Sequence, residues 1–248
     1  MAVFSLNDSE KAELKSYSIW EDDCPLALER LVNVHISYYG FDGELRNDGI
    51  ITVMDALATS VEAIFKELSG EKFPVAQILP IQHFQGDDEL SMTSNNSSSF
   101  NCRRIAGSAS FSIHSYGAAI DLNPLQNPFL TIDESKGQVQ VHPAEGWQFL
   151  NRRNQKPGMV EGVISIFKKH GFTIWGGDWT TPVDYHHFQL PRILAELMAF
   201  MEPEDASELF EISKGRTLKT DADYELLADG YQKSSGGFLR RLERDLFD

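Results

Sequence analysis

Residues 32–38 read Val32-Asn33-Val34-His35-Ile36-Ser37-Tyr38, an alternation of apolar and polar side chains that predicts a half-buried strand. Gly40-Phe41-Asp42-Gly43 follows as a turn. Between 51 and 68 the period changes. Met54, Leu57, Val61, Ile64, Phe65 and Leu68 fall at helical spacing, and Gly70 serves as a stop. Residues 73–84 read as extended and apolar, interrupted by Pro74 and Pro80. The stretch 86–99 is rich in Asp, Asn and Ser, a loop by composition and a rim to whatever lies next to it. A short apolar strand is expected at 118–122, a second helix at 159–170 closed by Gly171, and a strand at 172–175. Beyond Pro191 the pattern turns helical, over 192–201, 206–212 and 224–247, the last broken near 234–237. Residues 1–23 are polar and predict a short helix and a lead-in. The fold class expected is α+β, one main domain with a helical C-terminal extension.

The chain has 248 residues, 42% hydrophobic and 24% charged, enough for a sizeable core and close to ordinary globular usage. Its formal charge of -15, with Lys and Arg scattered, argues against nucleic acid or an anionic bilayer as a partner. No run approaches the roughly 18 apolar residues of a membrane span. The first ten residues lack a basic segment followed by an apolar one, so no secretory signal is expected and synthesis is placed in the cytoplasm. Cys24 and Cys102 are too few for a cysteine-rich zinc knot. They read first as two free, buried thiols, with a single disulfide formed after export as the alternative.

The chemistry concentrates in two places. In Ser112-Ile113-His114-Ser115-Tyr116-Gly117-Ala118-Ala119-Ile120-Asp121, a small-residue turn leads into an apolar strand that Asp121 interrupts. A carboxylate there needs a partner, because burying it unpaired is costly, and a cation shared with His114 would supply one. Downstream stand Trp175-Gly176-Gly177-Asp178-Trp179 and Asp184-Tyr185-His186-His187-Phe188. His114, Asp121 and His187 give a metal three protein ligands and one open position, the pattern of a catalytic zinc site. Asp184, three residues before His187, is then available as general base. If this segment is a strand, His186 and His187 point to opposite faces and only His187 meets the metal. Asp178 either orients a ligand histidine or caps its turn, and Trp175, Trp179 and Phe188 read as packing around the site. His35, His83, His142 and His170 lie outside these motifs and read as structural or surface residues.

These residues resemble the zinc D-alanyl-D-alanine carboxypeptidase and L-alanyl-D-glutamate peptidase family of VanY-like enzymes and phage endolysins. Its pattern Ser-x-His-x-x-Gly-x-Ala-x-Asp is matched by Ser112, His114, Gly117, Ala119 and Asp121; its Trp-Gly-Gly-Asp-Trp segment by residues 175–179; its Asp/Glu-x-x-His by Asp184 and His187. The resemblance implies a small antiparallel sheet with flanking helices, a scaffold shared with Hedgehog signalling domains. It places a zinc peptidase domain at 24–202, with the extension at 203–248. It further implies Zn2+ held by His114, Asp121 and His187, Asp184 as base, and Arg103, rather than Arg104, engaging a substrate carboxylate or the developing oxyanion. The implied substrates are peptidoglycan stem peptides, cut by a D,D-carboxypeptidase or an L,D-endopeptidase, the Trp-Gly-Gly-Asp-Trp variant leaning to the latter. A non-catalytic zinc module or a free D,D-dipeptidase is the rival reading. Action in the periplasm or wall would then require non-classical export, effector-like or phage-lysin-like, with a delivery or immunity partner unknown. The extension at 203–248 reads first as packing on the main domain.

Overall fold

The computed structural model describes residues 2–133, 135–217 and 243–247. In chain order, β1 (Ala2–Ser5), α1 (Asp8–Ser16), β2 (Leu31–Tyr39), β3 (Leu45–Met54) and α2 (Ala58–Gly70) come first. They are followed by β4 (Gln77–Ile78), α3 (Asp88–Thr93), β5 (Asn96–Ser97), β6 (Ala119–Asp121), β7 (Phe129–Asp133) and β8 (Gln138–His142). Then come α4 (Ile164–Lys169), β9 (Ile174–Trp175), β10 (Val183–Asp184), β11 (His187–Gln189), α5 (Arg192–Phe200) and α6 (Pro203–Ser213). The fold is α+β. Three antiparallel three-stranded sheets, ordered β1-β2-β3, β6-β11-β9 and β10-β7-β8, share the molecule with a short parallel pair, β4-β5.

The helix expected from residue 51 begins later. Ile51, Thr52, Val53 and Met54 complete β3 and pair with β2, and the helix proper starts at Ala58. A short apolar run satisfies either period, and here the neighbouring strand decides. Nor is β2 half-buried. Leu31 to Val34 are all covered, because Asn33 is capped by Glu10 of α1 at 2.9 Å and accepts a hydrogen bond from the Thr52 hydroxyl at 2.7 Å. The loop expected at 86–99 contains α3 and β5, with Asp87 capping α3 by accepting from the Leu90 amide. The second helix is shortened to α4 behind a 3-10 turn at Val160–Gly162, and the strand after it keeps only Ile174 and Trp175.

One apolar core unites these pieces. Val61, Ile64 and Phe65 of α2, Phe167 of α4, Phe188 of β11 and Leu194 of α5 all belong to it. So do Ala206, Leu209 and Phe210 of α6, with Leu246 and Phe247. Arg30 fastens the C-terminal end of α5, its guanidinium bound to Asp55 and donating to the carbonyls of Met198 and Met201. Most of the helix expected at 224–247 lies outside the described residues. Among the described residues no helix is long and apolar enough to cross a membrane.

Candidate metal centre

His114 sits on a 3-10 turn, Ile113–Tyr116, and its own amide donates to the Ser112 hydroxyl that caps the turn. The turn ends at Gly117, with φ at +59°, and a Cβ there would stand 2.6 Å from the Met54 amide nitrogen. Only glycine accepts both the left-handed backbone and the close approach to β3. The chain then reverses into β6, which carries Asp121 directly opposite His187 of β11. Residues facing each other across an antiparallel pair hold their side chains close on one face of the sheet. That pairing is what brings residues 66 apart in sequence together.

The donor atoms form a tight triangle. His114 Nε2 lies 3.1 Å from His187 Nδ1 and 3.2 Å from an Asp121 oxygen, and His187 Nδ1 lies 3.0 Å from the other Asp121 oxygen. Zinc bonds of about 2.0–2.1 Å in tetrahedral array put their ligand atoms roughly 3.3 Å apart, so the triangle suits one such ion. The outward nitrogens are already committed. His114 Nδ1 is 2.5 Å from the Ser99 carbonyl, to which it donates. His187 Nε2 donates to Gln189 Oε1 at 2.8 Å, and the Gln189 amide nitrogen donates to the Leu190 carbonyl, so that Oε1 can only accept. Both neutral imidazoles therefore turn lone pairs inward, toward a carboxylate. Three acceptors facing one another repel unless a cation or an added proton lies among them.

The titration tendencies agree. Burial opposes charging His187, yet its hydrogen bond with Asp121 and the charges of Asp121 and Asp184 raise its pKa. Burial works to raise the pKa of Asp121, but His114 and His186 hold it well below the usual carboxylate range. Asp184 behaves oppositely. Burial raises its pKa, and the nearby His186 and His187 only partly offset this. Asp184 Oδ1 is buried and receives no hydrogen bond among the described residues. His186 Nε2 stands 3.0 Å from it, within ion-pair range.

That position of His186 corrects the alternation expected from a strand. Tyr185 and His186 fall between β10 and β11, so the chain bends there and both histidines reach the centre. His186 Nδ1 donates to the Asn127 carbonyl at 2.8 Å, and its Nε2 comes within 3.8 Å of Asp121. Nothing in the sequence marks this bend.

The glycines of the 175–179 segment have a local purpose. A Cβ on Gly176 would lie 2.5 Å from the Asp184 carbonyl oxygen and 2.9 Å from its Cβ, so the segment packs directly against the back of Asp184. Trp175 Nε1 donates to the Tyr185 carbonyl, and the Trp179 ring lies 5.3 Å from that of His187. Phe188 faces away, stacked on Phe167 in the core. Asp178 is exposed, 3.5 Å from Lys168, and orients no histidine among the described residues.

Arg103 lies beside the metal turn. Its amide donates to the Ser115 hydroxyl, which donates back to the Arg103 carbonyl, both at 2.9 Å. Its guanidinium meets Asp88 of α3 at 2.5 Å. Arg104 points elsewhere, pairing with Asp23 and lying over the Phe111 ring. Cys24 and Cys102 are disulfide-bonded, with Cα atoms 6.1 Å apart, which overturns the reading of two free thiols. The segment before β2 folds against the His114 turn, with Cys24 Sγ 3.7 Å from the Ser115 carbonyl oxygen, and so closes the 78-residue separation. Of the other histidines, His170 binds Glu67, His142 meets Thr131, and His35 packs edge-on to Phe4.

No curated protein and no solved structure matches the chain. The family described as D-alanyl-D-alanine carboxypeptidase matches residues 106–190, about a third of the sequence, a span that includes His114, Asp121, Asp184 and His187 and leaves out Arg103. The resemblance carried by the His-Asp-His pattern is thus found again over that stretch, and it indicates a metallopeptidase with a site that can hold a metal at His114, Asp121 and His187.

Proposed function

We propose that this protein is a zinc-dependent peptidase acting on peptidoglycan stem peptides. His114, Asp121 and His187 hold the metal, Asp184 is the general base, and Arg103 receives a carboxylate of the substrate. The observation that carries the reading is the triangle of inward lone pairs and carboxylate, each edge 3.0–3.2 Å, beside a buried carboxylate with an unsatisfied oxygen. A purely structural cluster has no use for that second carboxylate.

When bound, zinc supplies Lewis acidity toward a water molecule and a peptide carbonyl. Asp184 takes the proton of the attacking water and returns it to the leaving amine nitrogen, and its raised pKa suits a group that must hold the proton between those events. His114 and His187 keep their donors turned outward, to Ser99 and Gln189, so neither competes for that proton. Arg103, half-exposed at the edge of the site, binds and orients the substrate. The peptidase unit is read as residues 24–202, with α6 and the Leu246–Phe247 pair packed on its core. The Cys24–Cys102 bridge favours action in an oxidising compartment such as the periplasm or wall.

Incubating the zinc-loaded protein with muropeptides and with D-Ala-D-Ala, then resolving products by mass spectrometry, tests this. Release of a terminal D-alanine marks a carboxypeptidase, an internal cut an endopeptidase, and cleavage of the free dipeptide alone a D,D-dipeptidase. Stoichiometric zinc binding without any product would leave a binding module and refute the enzymatic reading.

A further inference from the structure

The backbone of Arg103 is held three times next to His114. Its amide and carbonyl both engage the Ser115 hydroxyl, and its carbonyl also accepts from the Ser112 amide at 2.9 Å. The long side chain beyond is another matter, because four rotatable bonds must be ordered before a guanidinium presents a fixed fork. Asp88 supplies that order. One of its oxygens takes the Arg103 Nη2, and the other accepts from the Asn101 side-chain amide at 3.2 Å. Asn101 in turn donates its backbone N–H to the His114 carbonyl, also at 3.2 Å. A continuous path therefore runs from the metal turn through Asn101 and Asp88 to the head of Arg103.

The carrier of Asp88 is fixed as well. It is the first residue of α3, a helix capped by Asp87 and tied at Ser91 to the Asn96 side chain, which also donates to the Leu79 carbonyl. Asp88 occupies Nη2 alone; the buried Nε has no acceptor among the described residues. Nη1, which meets no acceptor among the described residues, thus keeps its donors for a second carboxylate while the first holds the guanidinium still.

We propose that Asp88 is a positioning residue for substrate recognition: held by Asn101, it fixes Arg103 in the orientation that receives a carboxylate on the stem peptide, and so sets the preference for peptides in which that carboxylate is free. The inference rests on the reading of Arg103 as the substrate's carboxylate contact. An ordinary half-exposed ion pair would instead contribute about 0–1 kcal/mol to stability and nothing to selectivity.

The test uses the full-length, zinc-loaded protein and the stem peptide it cleaves, with the carboxylate nearest the cut either free or amidated. Asp88→Asn is expected to raise KM for the free-carboxylate peptide about tenfold, the loss of one well-placed charged hydrogen bond, with a smaller change in kcat. The amidated peptide loses less, so the preference between the two shrinks by a similar factor. Asp88→Glu recovers part of the preference, and Asp88→Asn in an Arg103→Ala background adds no further loss. Zinc titration and a melting curve on each variant confirm an intact fold and metal site. An unchanged preference in Asp88→Asn, alongside a large loss in Arg103→Ala, would overturn the inference and leave Arg103 in its role. An unchanged KM in Arg103→Ala would remove both. Absence of turnover in the unmodified protein is a different result and strikes the proposed function itself.

Discussion

The two halves of the candidate site are built on different principles. His114, Asp121 and His187 are 3%, 7% and 6% exposed, and two of them face each other across a strand pair. Arg103 and Asp88 each leave 37% of the side chain open. The metal half is arranged by backbone: a 3-10 turn, a glycine and a register. The proposed substrate half is arranged by side chains, Asn101 holding Asp88 and Asp88 holding Arg103. The first should therefore be intolerant of any change, and the second adjustable in graded steps.

Breaking the rigid half gives the largest effect. Asp121→Ala or His187→Ala should abolish stoichiometric zinc binding, read by metal analysis after dialysis, and reduce hydrolysis to background. The same half carries a pH signature. The raised pKa of His187 means that metal must displace a proton, so zinc affinity measured by titration should fall as pH drops below that pKa, by up to about tenfold per unit. In the metal-free protein the sign reverses. Protonated His187 contributes stability that is fully present below its ordinary 6.5 and is lost as pH rises through the raised value.

Asp184→Asn separates chemistry from metal binding. Turnover should drop about 10²–10⁴-fold while zinc still binds. Because burial penalises the ionised carboxylate, the penalty grows as pH rises from its ordinary 3.8 through its raised pKa. The metal-free Asn variant should accordingly be more stable near pH 7, read in a denaturant titration. An unchanged turnover would remove Asp184 from the role of base.

Next in size is the hinge of the rigid half. Gly117→Ala places a Cβ at φ +59° and 2.6 Å from the Met54 nitrogen, and should cost roughly 2 kcal/mol or more of stability by urea unfolding. The smallest effect sharpens the contrast at the open edge. Arg104→Ala, whose partner Asp23 is also exposed, should move stability by no more than about 0.5 kcal/mol and leave KM alone.

Much of the rigid half was legible in the sequence, because its signals are local: a buried-strand carboxylate at 121, a histidine before a glycine at 114, and an Asp-x-x-His at 184 and 187. Helix α2 announced itself by period. What escaped depends on neighbours. β1 is an exposed edge strand with nothing distinctive in Ala2 to Ser5, and it exists because β2 offers unpaired backbone. Residues 51–54 fit a helix or a strand until β2 chooses. The short α3 hides in a polar loop, and with it the partner of Arg103. His186 reaches the centre because the chain bends after Asp184, and that bend carries no sequence mark. The Cys24–Cys102 bond stands in the sequence only as the alternative to two free thiols, because spacing alone cannot choose between them.

The opposition of Asp121 and His187 has one more consequence. β6 and β11 are each only three residues long, so few ladder hydrogen bonds specify their alignment. A slip of one position would set Phe188 across from Asp121 and turn the His187 imidazole to the far side of the sheet. No ion could then be chelated. A bound cation thus selects one alignment over its neighbours, and binding free energy becomes, in part, the free energy of keeping those two short strands in step.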